Sequence, residues 1–295
     1  MKKITLVNKV LIFFICLGIL AFAGCKTDDS NNNNQNQNNQ NNEQTQNPIE
    51  ITNEHTTYSI LEDTIYETTV HKFKSNVEGP RVAIVGGIHG DEIAGWKAAL
   101  ELVKRNNFKG EVLIIPQAHI LADTLEHRYP GYRYDVINTK EHDGIKYADL
   151  NRTFGLGKNN VTQTIADAIE KAVTDFNPEY IIDLHESRRS STDASSPLLG
   201  DLIIYGNSNS ALFAEDMVYE FNKNCLKPRE TAFGTDTNPP VGSFCNHFGK
   251  TFPKAIVFTI ETNREYYNGK DTADLSRRIE QQLQMLDIFF GLISE

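Results

Sequence analysis

From about residue 50 to its end the sequence predicts an α/β domain: a twisted sheet, mostly parallel or mixed, with helices on both faces. Two observations predict it. Short apolar runs bounded by turn residues alternate with longer stretches of helical period, which is the pattern of strands laid side by side through helical crossovers. Residues 50 to 295 also contain no low-complexity break and no repeat, so they form one block and one domain.

The elements follow in order. Arg81-Val82-Ala83-Ile84-Val85-Gly86-Gly87 has the apolar continuity of a strand buried on both faces, closed by a glycine turn. A helix follows from Asp91, an N-cap candidate, through Trp96 to Val103. Further strands are expected at Glu111–Ile115, Tyr180–Leu184, Leu202–Tyr205 and Ala255–Ile260, and helices near 161–176, 209–223 and 273–291. In such sheets the ligand crevice lies beyond the carboxyl ends of the strands. Chemistry is therefore sought at those ends.

The first 49 residues are of a different kind. Lys2, Lys3 and Lys9 precede an apolar run from Val10 to Ala23, with no acid before Asp28. This reads as a secretory signal, the run being short for a spanning helix. It closes on Phe22-Ala23-Gly24-Cys25, which resembles the bacterial lipoprotein signal, although Phe22 stands where leucine is usual. The resemblance implies a removed signal of residues 1–24 and a lipid on Cys25, which would anchor the protein to a membrane at the cell surface or its periplasmic face. An uncleaved anchor and plain secretion are the alternatives. Residues 25–49 are a tether: positions 31 to 42 are all Asn or Gln and cannot bury enough apolar surface to fold.

Charge narrows the functional classes. The chain carries a formal net charge of −10. Loss of residues 1–24 removes three lysines and no acid, taking the charge to −13. A general nucleic-acid binder needs a basic face, so this balance argues against that role without excluding a local patch.

Polar clusters stand at the predicted strand ends. His89 and Glu92 lie in Gly87-Ile88-His89-Gly90-Asp91-Glu92, His185 closes Ile181-Ile182-Asp183-Leu184-His185, and Glu261 closes Phe258-Thr259-Ile260-Glu261. Any one alone is most simply a solvated strand end. Together, two histidines and a glutamate form the ligand set of an open catalytic zinc site, and a further carboxylate is what such a site needs as general base. Asn151 and Arg152, side by side in Ala148-Asp149-Leu150-Asn151-Arg152, suit a two-point hold on a carboxylate.

These motifs, in this order, resemble the zinc metallocarboxypeptidase superfamily, and within it the succinylglutamate desuccinylase/aspartoacylase branch. Gly-Gly-Ile-His-Gly-Asp-Glu at 86–92, Asp-Leu-Asn-Arg at 149–152, Asp-Leu-His at 183–185 and Glu261 carry the resemblance, which covers about 80 to 290. It implies one Zn²⁺ per chain on His89, Glu92 and His185, and Glu261 as the group that takes a proton from water and returns it to the leaving amine. It implies Asn151 and Arg152 as the carboxylate clamp, and Asp149 as the acid behind a ligand histidine. The family's arginine for the developing oxyanion is assigned to Arg133, with Arg128 and Lys146 as rivals. The family's mobile tyrosine has no counterpart between Tyr219 and Glu261, so that role is vacant or filled from elsewhere, Tyr266 and Tyr267 being either candidates or edge-packing residues. With 34 residues after Glu261, the extra C-terminal β domain of aspartoacylases is expected to be missing.

Cys225 and Cys245 flank the loop leading toward Glu261, and outside the cytoplasm they are expected to close it as a disulfide. As free thiols they would be buried and inert. Arg188 and Arg189 are either readers of an acidic substrate or part of a solvated loop. His119, His127, His142 and His247 lack partners at metal spacing and are taken as structural. The expected protein is a lipid-anchored zinc hydrolase, cleaving an amide bond beside a carboxylate in a small N-acyl amino acid or a peptide, including cell-wall peptide. The alternative is a surface solute-binding or adhesion lipoprotein that keeps the fold without turnover. Binding alone has no need of Glu261.

Overall fold

The computed structural model describes residues 50–129, 139–142, 145–188, 200–267 and 270–294. The chain divides into two units, Met1–Pro48 and Ile49–Glu295, and every described residue belongs to the second. The signal, Cys25, the whole tether, Arg133 and Arg189 lie outside the described residues.

Two strands, β1 (Asn53–Ile60) and β2 (Thr68–Ser75), open the domain. They are followed by β3 (Arg81–Gly86), α1 (Ile93–Leu102), β4 (Glu111–Ile115) and the short α2 (Ile120–Leu125). A small ladder, β5 (Thr139–His142) and β6 (Ile145–Ala148), precedes α3 (Val161–Phe176). Then come β7 (Tyr180–Ser187), β8 (Leu202–Tyr205), α4 (Ala211–Asn224) and β9 (Gly234–Asp236). The domain closes with α5 (Phe244–Thr251), β10 (Ile256–Asn263), the pair β11 (Tyr266–Tyr267) and β12 (Lys270–Asp271), and α6 (Leu275–Leu292).

Eight strands form one mixed sheet in the order β1-β2-β4-β3-β7-β10-β8-β9. Its centre, β4-β3-β7-β10, is parallel, whereas β2 and β8 join it antiparallel. The strands alternate their side chains between two cores. Ala83 and Val85 face α3 and α5, while Val82 and Ile84 face α1, α4 and α6. Both faces are thus covered, as a continuous apolar strand requires. Among the described residues no helix is long and apolar enough to cross a membrane.

Three expectations change. First, β7 and β10 run three residues beyond the predicted ends. They pair in parallel from Ile256↔Tyr180 to Asn263↔Ser187, and each supplies the other's ladder past the point where β3 stops, at Gly86↔Leu184. Second, Glu92 rather than Asp91 holds the N-cap position of α1, and no side chain of that turn caps it. The Asp91 carboxylate is drawn away by Arg188, at 2.7 Å, and Arg264, at 3.4 Å. Third, Cys225 and Cys245 are free. Cys245, on α5, belongs to the core on one face of the sheet, and Cys225, closing α4, packs against the core on the other. Cys245 instead donates its thiol to the Ile204 carbonyl at 3.3 Å.

Candidate metal centre and active-site cleft

The early end of β3 prepares the site. Beyond Gly86 the flanking strand β7 has no partner on that side, and the segment His89–Glu92 folds over its exposed end. The turn needs glycine at 90, since a Cβ there would lie 2.0 Å from the Ala122 carbonyl oxygen. The fold-over brings Glu92 against His185: the Glu186 backbone N–H donates to Glu92 Oε2 at 3.0 Å, and His185 Nδ1 lies 2.6 Å from the same oxygen. His89 Nδ1 lies 2.8 Å from Glu92 Oε1.

His89, Glu92 and His185 are buried, and each offers one ligand atom within 4.8 Å of the others. They are the one such group of His, Cys, Asp or Glu among the described residues. The donor set fits zinc, whose bonds to nitrogen and oxygen are about 2 Å. The outer nitrogens fit as well. His89 Nε2 lies 2.9 Å from Asp149 Oδ1, and His185 Nε2 lies 2.8 Å from Asp183 Oδ2. A carboxylate behind each ring fixes the tautomer that leaves Nδ1 free to bind a metal.

Charge in the cluster is high and shared. Burial opposes ionisation of Glu92, but the two histidines outweigh it and hold the carboxyl well below its usual range. Burial and Arg128 oppose charge on His89, yet Glu92 and Asp149 overcome them and its pKa rises. His185 is likewise raised, because Asp183 and Glu92 outweigh burial. Both shifts arise from carboxylates that would compensate a cation in place of those protons.

Glu261 stands opposite His185 in the β7–β10 ladder and lines the same cleft, of about 440 Å³. Burial pushes its carboxyl up to about 7, with Glu92 and Asp183 adding to the effect against His185. A carboxyl held there can take up or release a proton near neutral pH.

Asn151 and Arg152 enter from the face covered by α3 and α5. Asn151 Oδ1 accepts from the Phe244 N–H at 2.8 Å, at the start of α5, which turns its Nδ2 toward His185 Nε2, 3.5 Å away. Arg152 lines the cleft while donating to the Asn151 carbonyl at 2.6 Å.

The sequence offers Arg128 only as a rival for the oxyanion arginine, and assigns no role to Tyr129, Asp183, Glu186 or Arg264. Arg128 lines the cleft, donating to Glu92 Oε1 at 3.0 Å and Asp149 Oδ2 at 3.2 Å, and Tyr129 donates to the same Asp149 oxygen at 3.1 Å. Nothing local to 128–129 signals this, since Asp149 lies 21 residues away. Asp183 was visible in Asp-Leu-His: two residues apart on a strand, the pair shares one face. Glu186 and Arg264, both buried, also reach the cleft. Arg188 binds Asp91 at its edge. The backbone of Tyr266–Tyr267 forms β11. His247 pairs with Glu170 at 3.0 Å, away from the metal cluster.

The fold is a single α/β domain that matches the succinylglutamate desuccinylase/metallocarboxypeptidase-like fold, with a buried His-Glu-His cluster at the carboxyl edge of its sheet. Residues 78–198 match the succinylglutamate desuccinylase/aspartoacylase catalytic domain. The chain is similar to N-alpha-acetyl-L-2,4-diaminobutyric acid deacetylase of Halomonas elongata, with 32% identity over 117 residues, 38% of this chain and 30% of the deacetylase. Among solved structures it is similar to mDAP-bound Helicobacter pylori Csd4, a D,L-carboxypeptidase, with a TM-score of 0.56 and 20% identity over 73% of this chain and 51% of Csd4. A succinylglutamate desuccinylase from Silicibacter sp. TM1040 gives a TM-score of 0.54 at 16% identity, over 84% of this chain and 71% of that one. The chain thus spans under a third of the deacetylase and about half of Csd4.

Proposed function

We propose that this chain is a zinc-dependent hydrolase that cleaves an amide bond beside a carboxylate, in an N-acyl amino acid or at the end of a peptide. The observation that carries the proposal is the meeting of His89, Glu92 and His185 with Glu261 beside them, four residues from three separate segments. The deacetylase and carboxypeptidase named above are in keeping with it. A zinc ion on the three ligands would lower the pKa of water and polarise the scissile carbonyl.

The chain's own groups do the rest. Asn151 and Arg152 hold the substrate carboxylate and so fix the scissile bond in the cleft. Glu261 accepts the proton of the attacking water and returns it to the departing nitrogen. Arg128, whose side chain is 30% exposed and lines the cleft, meets with its guanidinium the negative charge that develops on the carbonyl oxygen. Lipidation at Cys25 and the tether would hold this cleft at the cell surface, where the ends of cell-wall peptides are the nearest substrates.

A screen of N-acyl amino acids and short D- and L-peptides tests the proposal, with Glu261→Gln as the control. Glu261→Gln should lower kcat by about 10²–10⁴-fold. The unprotonated carboxylate is the active form, so kcat/KM should fall as pH drops through its pKa. That pKa is about 7 without metal, and a bound dication moves it lower. Full turnover by Glu261→Gln, or activity that begins only above about pH 8, contradicts the assignment.

A further inference from the structure

The N-terminus of α1 poses a question that the metal cluster does not answer. This helix carries Glu92 at its N-cap position, has no side-chain cap of its own and no acid in its first turn. A helix start leaves N–H groups without intrahelical partners, and they need acceptors from elsewhere when buried. At Ala94, which is fully buried, the acceptor comes from a different element: Glu186 Oε2, on β7, at 2.8 Å.

Glu186 is the residue after His185. Its two ends serve both sides of the metal cluster, for its own backbone N–H donates to Glu92 Oε2 at 3.0 Å. Its other carboxylate oxygen accepts from Arg278 Nη1, on α6, a pair buried on both sides. Burial alone pushes the Glu186 carboxyl up, with Arg278 and the Ala94 N–H acting against it.

We propose that Glu186, held by Arg278, is a positioning residue that caps α1 from β7 and so locks Glu92 in register with His185. The inference rests on the metal reading of the site. It adds that the distance between two ligands carried on separate elements is set by one carboxylate. Glu92 lies two residues before the capped amide and His185 one residue before the capping side chain, so slack at this contact appears directly as slack between ligands.

The test uses the full-length chain in detergent. Glu186→Ala alone leaves the Arg278 guanidinium buried without its carboxylate, a change that can unfold a protein. The informative pair is therefore Glu186→Ala/Arg278→Met, which removes cap and charge together, and Glu186→Gln/Arg278→Met, which restores a neutral acceptor for Ala94. In metal-free protein, amide exchange at Ala94 should quicken about tenfold or more in the first variant and return toward wild type in the second. Zinc affinity, measured by chelator competition, should fall about 10–100-fold in the first and recover in the second. Wild-type exchange and zinc affinity in Glu186→Ala/Arg278→Met overturn the inference, as does an equal loss in both variants. A wild-type chain that takes up no zinc overturns the metal reading instead, while the exchange arm still decides whether Glu186 caps α1.

Discussion

Asp149 and Asp183 face the Nε2 atoms of His89 and His185 at 2.9 and 2.8 Å, and the symmetry follows from where each stands. Asp183 shares a strand face with His185, a spacing that could have shown their contact, although Asp183 was given no role from the sequence. Asp149 reaches His89 across 60 residues, and only the resemblance to a known motif pointed to it. Arg128 was a candidate for the oxyanion arginine but not the favoured one, because its partners Glu92 and Asp149 lie 36 and 21 residues away and leave no local signal. Its position makes a prediction against the rival Arg133. At saturating zinc, Arg128→Met should lower kcat by about 10²-fold with a smaller change in KM. Arg133→Met should leave kcat near wild type. Steady-state kinetics that reverse this order would return the oxyanion role to Arg133.

Element boundaries explain most of what sequence periodicity foresaw and missed. The strand at Glu111–Ile115 and the helix at 161–176 match their predicted limits, because local turn and cap signals mark both ends. Asn160 caps the latter by accepting from the Gln163 N–H at 2.9 Å. The extensions of β7 and β10 depend on each other's hydrogen bonds and have no local signal. The disulfide expectation failed for a similar reason, since spacing along the chain does not say which face of a sheet a helix covers. One contact ties element packing to the site. Gly95 of α1 lies against β7, where a Cβ would come within 2.5 Å of the Leu184 carbonyl oxygen. In an ordinary helix Gly→Ala gains about 1 kcal/mol. Here Gly95→Ala should instead cost about 1–3 kcal/mol in urea unfolding, because the helix must lift off the strand. A stabilised variant would show that α1 is not packed this closely.

At the scale of the whole molecule, the fold was legible because apolar strands and helices alternate, and the sheet edge that gathers the site was legible with it. The outer strands β1 and β2 were not foreseen, for much of β1 is exposed and lacks an apolar run. An acidic chain of net charge −10 gathers four arginines, 128, 152, 188 and 264, at one cleft. Arg128, Arg188 and Arg264 are tied to Glu92, Asp149 and Asp91, so a carboxylate-bearing substrate would be drawn chiefly to Arg152. The central claim is that the cleft is built around a metal. Its most direct test is the zinc content of the full-length chain, equilibrated with zinc and freed of excess, beside His89→Ala and His185→Ala. The account predicts about one zinc per wild-type chain, lost in both variants. A wild-type chain without zinc, or variants that keep a full complement, would contradict it.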